Sequence, residues 1–169
     1  MSKIKNVLFI CSGNTCRSPF AEYIAKWLKD TEFKEELGEI KFESAGLYHY
    51  YEYPQEGTVK YLESKGIDFS DFKAKQVNEE LIDKQDLILG FEEKWHIRKL
   101  KRRFKSLKNL DKKLFLLLEF AGKKGNLEIE DPIYLEREEY NNVLKVIEFG
   151  VKESLKRIIE INKKIPNDS

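Results

Sequence analysis

Both cysteines of the chain, Cys11 and Cys16, fall in one short stretch, VLFICSGNTCRSP (residues 7–19), together with Arg17 and Ser18. An apolar run stops at Cys11, and Pro19 suits the first turn of a helix, so the residues between make a strand-to-helix turn. Such a turn aims successive backbone N–H groups inward as a nest for an anion, and the positive end of the following helix adds to it. Gly13 lets the backbone approach a ligand, while Asn14 tolerates a left-handed backbone and carries an amide that ties a loop together. Arg17 offers a planar fork matched to two phosphate oxygens. Nearby cations and a helix N-terminus favour the thiolate form of a cysteine at the floor of such a nest. Ser18 is placed to donate to that sulfur or to cap the helix, and the two roles are compatible. The stretch therefore suits attack by Cys11 on a bound tetrahedral anion, with Ser12, Gly13, Asn14, Thr15, Cys16, Arg17 and Ser18 around it. No catalytic step requires Cys16, so packing and a functional role both stay open.

Cleavage of a phosphate ester also needs a group that protonates the leaving oxygen and later activates water, and one carboxyl group can do both. Asp131, stiffened by Pro132, is the candidate, although an Asp-Pro pair by itself is usually only a turn. The stretch LYHYYEYP (47–54) packs four tyrosines into eight residues. Tyr48 or His49, with Tyr134 opposite, would flank a flat aryl ring; a packed surface loop accounts for at least half of these tyrosines. His49 and His96 lie far apart, neither with Cys or carboxylates at ligand spacing, so both read as surface histidines and no metal or cofactor is expected.

Four apolar segments read as strands: NVLFI (6–10), EIKFES (39–44), DLILGF (86–91) and KKLFLLLEF (112–120). Helical spacing covers about 19–30, 55–65, 92–104 and 136 into the 160s. Strands alternating with helices imply a parallel sheet covered on both faces, whose ligands bind beyond the carboxyl ends of the strands. Cys11 directly follows the first strand, so the cysteine loop sits there.

The 169 residues suffice for one domain with a core, read as spanning 1–169, and 41% hydrophobic content argues against disorder. A net charge of +1 creates no global field that demands nucleic acid or membrane. The apolar start is too short for a signal peptide and LFLLL (114–118) is too short to cross a bilayer, so a cytoplasmic location without a membrane partner is expected. One basic stretch, KWHIRKLKRRFKSLK (94–108), could dock an acidic protein or nucleic acid. Its apolar residues keep helical spacing, which favours a solvated basic face, and no nucleic-acid partner is expected.

CSGNTCRSP resembles the signature loop of the low-molecular-weight protein tyrosine phosphatases. The resemblance continues, in family order, through ESAG (43–46), KGIDFSDFKAKQ (65–76), DLILGFEE (86–93), LLLEFA (116–121) and IEDPIY (129–134). It implies an α/β fold, a three-layer α-β-α arrangement with a four-stranded parallel sheet of order 2-1-3-4 and a phosphate-binding loop after the first strand. It further implies hydrolysis of phosphotyrosine and aryl phosphate monoesters through a cysteinyl-phosphate. Cys11 would be the nucleophile, Arg17 the oxyanion clamp and Asp131 the general acid. The partner would be a phosphotyrosine protein or small aryl phosphate, and the chain a monomer or weak homodimer. The resemblance also implies a redox pairing of Cys11 with Cys16. Three departures stand out: Ile133 where an aromatic usually follows Asp-Pro, Phe72 where a histidine usually supports the loop serine, and Phe91-Glu92 for the usual Met-Asp. Two alternatives compete. One is arsenate reduction on the same fold, disfavoured because no cysteine follows Cys16; the other is a non-catalytic phosphate-binding or redox-sensing module, which has no use for a general acid.

Overall fold

Side chains alternate along the first strand, and the alternation builds two cores. In the computed structural model, which describes residues 2–167, β1 (Asn6–Cys11) turns Val7, Phe9 and Cys11 to one face of the sheet and Leu8 and Ile10 to the other. β2 (Lys41–Gly46), β3 (Leu87–Gly90) and β4 (Leu114–Leu116) complete a parallel sheet of order β2-β1-β3-β4. Register brings Cys11 opposite Gly46, and Phe9 opposite both Ser44 and Leu89. The order reverses beside β1, so the carboxyl end of β1 opens onto the ligand-binding crevice of such a sheet.

On the first face lie α1 (Arg17–Asp30), α2 (Lys34–Leu37) and α3 (Glu56–Ser64). On the second lies α4 (Glu79–Asp83), followed after β3 by a π-helical turn at Glu93–Ile97, by α5 (Arg98–Arg103) and by α6 (Leu110–Lys113). α7 (Leu117–Phe120) and the long α8 (Arg137–Lys163) return to the first face, where Leu144, Ile147 and Val151 pack with Phe20 and Ile24 of α1. The result is three layers, α-β-α. Among the described residues no helix is long and apolar enough to cross a membrane.

Several boundaries differ from those the sequence suggests. β2 runs to Gly46 rather than ending at residue 44, and α1 begins at Arg17 rather than Pro19. The fourth strand is three residues long instead of filling 112–120. Lys112 and Lys113 end α6, and Leu117, Leu118 and Phe120 make one helical turn with all three side chains buried. A strand would have divided them between two faces. The expected helix over 92–104 is broken into the π-helical turn and α5.

Charged residues fasten the ends of the sheet. Asp86 accepts from the N–H groups of Lys5 and Asn6 at 2.8 and 2.9 Å, tying the start of β1 to the start of β3. Glu43 on β2 receives Lys75 at 2.9 Å, Gln85 at 3.2 Å and Lys84 at 3.3 Å. Partial burial opposes ionisation of Glu43, but these donors outweigh it and hold the carboxyl at about 2, below its ordinary 4.5. The folded state therefore binds fewer protons at this site than the unfolded chain, and the stabilisation is full above about pH 4.5 and lost as pH falls towards 2. Solvent screens the pair, so its worth is about 1 kcal/mol. Glu43→Gln should lower the melting temperature at neutral pH and match the wild type near pH 2, as read by circular dichroism across that range.

Candidate active site

The loop that follows β1 is shaped by where its carbonyls go. Cys11 and Ser12 carbonyls accept from the N–H groups of Leu47 and Tyr48 at 3.0 and 2.9 Å, and the Thr15 carbonyl accepts from Gln55 at 2.7 Å. With the carbonyls bound outward, the N–H groups of Gly13, Asn14, Thr15 and Cys16 have no acceptor among the described residues and remain available to an anion. β2 presses the loop from below. A Cβ on Gly46 would lie 2.8 Å from both the Asn14 nitrogen and the Gly13 carbonyl carbon, so only glycine fits there.

Asn14 holds the loop in shape. Its φ is +55°, in the left-handed region, and its side chain is fully buried. The amide nitrogen donates to Ser18 Oγ and Ser44 Oγ, both at 2.9 Å, and the amide oxygen accepts from the Lys75 N–H at 3.1 Å. Ser44 passes its own proton to Glu22 at 2.5 Å. Ser18 already accepts from Asn14, so its hydroxyl proton is free for Cys11 Sγ, 2.8 Å away. Ser18 thus serves the sulfur and not the helix: the N-cap position is Cys16, with no side-chain cap bond. Phe72, which stands where the resemblance led us to expect a histidine, packs edge-on to Tyr23 instead, with ring centroids 6.2 Å apart.

Arg17 is 2% exposed. Its Nη1 donates to Glu92 at 2.6 Å and to the Ile129 carbonyl at 2.7 Å, while Nη2 lies 4.0 Å from Asp131. Burial works against the guanidinium charge, but the negative groups at Cys11, Glu92 and Asp131 outweigh it and raise its affinity for the proton further. Asp131 is half-exposed, and its Oδ1 accepts from the Ile133 N–H at 3.1 Å, which turns the carboxylate over the site.

His96 is not a surface residue. It is fully buried, carried inward by the π-helical turn. Nδ1 accepts from the N–H groups of Phe91 and Glu92, both at 3.0 Å, so the ring proton of the neutral form resides on Nε2. Nε2 faces Ser12 Oγ at 3.4 Å, Arg17 Nη2 at 3.5 Å and Glu92 Oε2 at 3.8 Å. Burial first, then the Arg17 charge, holds its pKa well below the ordinary 6.5. His96 therefore stays neutral: Nδ1 holds the backbone at the end of β3, and the Nε2 proton faces the acceptors Ser12 Oγ and Glu92 Oε2, while Arg17, itself a donor, is only a packing neighbour. The sequence signal for it was a histidine just beyond the carboxyl end of a central strand, outweighed by the basic residues around it.

Cys16 occupies a different environment from Cys11. Its sulfur lies 3.0 Å from the Tyr140 hydroxyl of α8, which also sits 2.9 Å from Thr58 and 2.9 Å from Gln55 of the α3 entrance. Burial dominates over those hydrogen bonds and pushes the Cys16 thiol up to about 12, so it remains protonated at neutral pH. A Cβ on Gly57 would fall 2.6 Å from the Tyr140 ring, which locks this junction.

The aromatic residues are distributed unlike the expectation. Tyr50 stands nearest the loop, 3.1 Å from the place a Cβ on Gly13 would take. Tyr48 stacks on Tyr50 at 5.6 Å and is held by Lys99 at 2.9 Å. His49 is paired with Glu52 at 2.7 Å, and Tyr134 is 94% exposed. The loop residues 11–18 and Asp131 are brought together; Tyr134 is not part of a formed wall. Among the described residues no three His, Cys, Asp or Glu side chains group as a metal site.

The sequence model described as "Low molecular weight phosphotyrosine protein phosphatase" matches residues 6–165. The chain belongs to that family. It is 33% identical over 158 residues to the low molecular weight protein-tyrosine-phosphatase YfkJ of Bacillus subtilis, covering 90% of this chain and 95% of that one. Against the low molecular weight phosphotyrosine protein phosphatase of Gallus gallus it is 31% identical, over 83% and 87% of the two chains. The crystal structure of YfkJ superimposes with a TM-score of 0.81, covering 96% of this chain and 98% of YfkJ. A structure of the YwlE arginine phosphatase, a mutant with a phosphorylated active-site serine, is 25% identical with a TM-score of 0.77 over 89% and 93% of the chains. This family member is thus a protein-tyrosine-phosphatase, a hydrolase, and its buried Cys11 is consistent with a catalytic cysteine.

His96→Leu leaves the Phe91 and Glu92 backbone donors unpaired, each costing about 1–3 kcal/mol, and so loosens Glu92, which holds Arg17. It should weaken competitive inhibition by inorganic phosphate about tenfold. His96→Asn, which restores an acceptor, should recover part of that affinity. Because His96 stays neutral, the difference between wild type and His96→Asn should be flat from pH 5.5 to 8.

Proposed function

We propose that this phosphatase hydrolyses phosphotyrosine and related aryl phosphate monoesters through a cysteinyl-phosphate. The observation that carries the reading is the Ser18 hydroxyl 2.8 Å from Cys11 Sγ, at the floor of a loop whose N–H groups have no other acceptor among the described residues. The Cys11 thiolate attacks phosphorus in line as the bond to the aryl oxygen breaks. Protonated Asp131 gives its proton to that oxygen. Asp131, now a carboxylate, takes a proton from water; the resulting hydroxide attacks phosphorus, the S–P bond breaks, and phosphate leaves with the thiolate restored. Arg17 and the N–H groups of the loop hold the equatorial oxygens through both steps. Tyr50, over Gly13, offers the aryl ring a face.

A second reading concerns the leaving group. The cleft wall on the acid-loop side carries Glu130 and Asp131, both exposed to solvent, with Glu128 holding the Glu93 N–H. A phosphorylated arginine, after the printed name of the arginine phosphatase above, would find carboxylates there to pair with its guanidinium, which a neutral aryl ring cannot use. Competition between phosphotyrosine and phosphoarginine at equal concentration separates the two readings.

The two cysteines also support a redox reading. Peroxide would convert the Cys11 thiolate to the sulfenic acid, which condenses with the Cys16 thiol to a disulfide and water. Burial raises the Cys16 pKa to about 12, so it enters that condensation as the thiol.

Cys11→Ser should abolish turnover yet still bind phosphate, as read by calorimetry; hydrolysis by that variant overturns the mechanism. Asp131→Asn should cost a poor leaving group about 10²–10³-fold and an activated nitrophenolate much less. Equal losses across a leaving-group series would assign Asp131 to structure. After peroxide treatment, dithiothreitol should restore wild type and leave Cys16→Ser largely inactive.

A further inference from the structure

Residues 94–108 hold eight Lys or Arg and no Asp or Glu, in a chain whose overall charge is only +1. Elsewhere in the chain basic and acidic residues are interleaved in sequence. Here, among the described residues, Lys94, Lys99, Lys101, Arg102 and Arg103 have no carboxylate within 4.0 Å. Arg98 reaches only Glu93, at 3.8 Å.

Lys94, Lys99 and Arg103 are joined to the catalytic loop by an unbroken series of contacts. Tyr50 lies over Gly13 and is 61% exposed. Tyr48 stacks on Tyr50, with the rings 28° from parallel. Lys99 and Arg103 each sit 5.2 Å from the centroid of the Tyr48 ring. Lys99 also lies 4.7 Å from the ring of Trp95, and Lys94 takes the same distance from it. Trp95 is 45% exposed. The π-helical turn fixes this arrangement, because His96 is buried against Ser12 and Arg17 while its neighbours Lys94 and Trp95 stay outside.

Carboxylates also reach the mouth: Asp131 lies 4.0 Å from Arg17, and Glu128 accepts from the Glu93 N–H beside Lys94. A solvated basic helix would need neither the stacked aromatic rings nor their path to the loop.

We propose that this basic and aromatic surface docks the acidic flank of a phosphopeptide substrate, with Lys94, Lys99 and Arg103 attracting carboxylates on one side of the phosphorylated residue. The proposal rests on the phosphotyrosine reading above and adds the substrate class that the site selects. Carboxylates on the peptide complete the unpaired cations, and Trp95 and Tyr50 give its backbone an apolar bed.

The test measures binding of fluorescent phosphotyrosine peptides to Cys11→Ser, which holds substrate without turnover, and kcat/KM of the active enzyme on the same peptides. The flanks are Glu-rich on either side, Ala-rich or Lys-rich. A peptide with Glu on one flank should bind about tenfold tighter than the Ala-flanked peptide at low salt, and lose most of that advantage at about 0.5 M salt. The double variant Lys94→Glu with Lys99→Glu, checked for folding by its melting curve, should lose the preference. Equal affinity for Glu- and Ala-flanked peptides overturns the proposal, as does a preference that survives the charge reversal. Displacement of the acidic peptide by a lower concentration of single-stranded DNA would assign the surface to nucleic acid and also overturn it. Failure of the wild type to hydrolyse para-nitrophenyl phosphate, with the peptide preference intact, would sink the reaction assigned above and leave the docking surface standing.

Discussion

A guanidinium with 2% of its surface exposed must be given its counter-charges by the fold. Arg17 stands at the start of α1, where helix geometry aims it across the crevice, and everything opposite is arranged around its charge. Glu92 leaves β3 to meet it, the Ile129 carbonyl closes the other side, and Asp131 hangs within 4.0 Å. One of the two terminal nitrogens is fully engaged by protein, and the other is left towards the mouth. Isolated, such a charge would be costly; bracketed in this way it is pre-oriented for a dianion without a reorganisation at the moment of binding.

Two independent hydrogen-bond systems meet in the loop and keep its two sulfurs chemically apart. The Asn14 system runs from Lys75 through Ser44 to Glu22 and decides which way the Ser18 proton points. The Tyr140 system ties α8 to α3 and closes over Cys16. Cys11 receives its donor from the first, and Cys16 is sealed by the second. Five residues apart in sequence, the cysteines are differentiated by partners that come from far along the chain.

What the sequence made legible follows the range of the interactions. The strand-to-helix turn, the left-handed Asn14 and the order of strands are local patterns or follow from right-handed alternation of strand and helix, and the resemblance to a known loop supplied the strand order. Asp131 needed that resemblance, since Asp-Pro is ordinarily a turn. His96 was misread because its direction depends on a π-helical turn, which no 3.6-residue spacing reveals. Tyr140 lies 124 residues from Cys16, a contact no single sequence displays. Tyr48 was expected at the aryl site, but its own partners, Tyr50 and Lys99, hold it one ring further out. The fourth strand was overextended because four leucines and two phenylalanines in succession satisfy a strand and a buried helical turn equally.

The π-helical turn at Glu93–Ile97 is, in effect, one residue more than an α-helix would use to cover the same distance. Each residue advances a helix by about 100°, so loss of a single codon in this turn would swing every later side chain by that angle. A different side chain would then face the arginine, and the cations of α5 would rotate off the rim of the mouth. Substitution leaves the frame of this segment intact, whereas insertion and deletion reset it. The steps by which relatives can diverge here are therefore coarse: a change of one residue in length rewrites the inner brace and the outer surface of the crevice together.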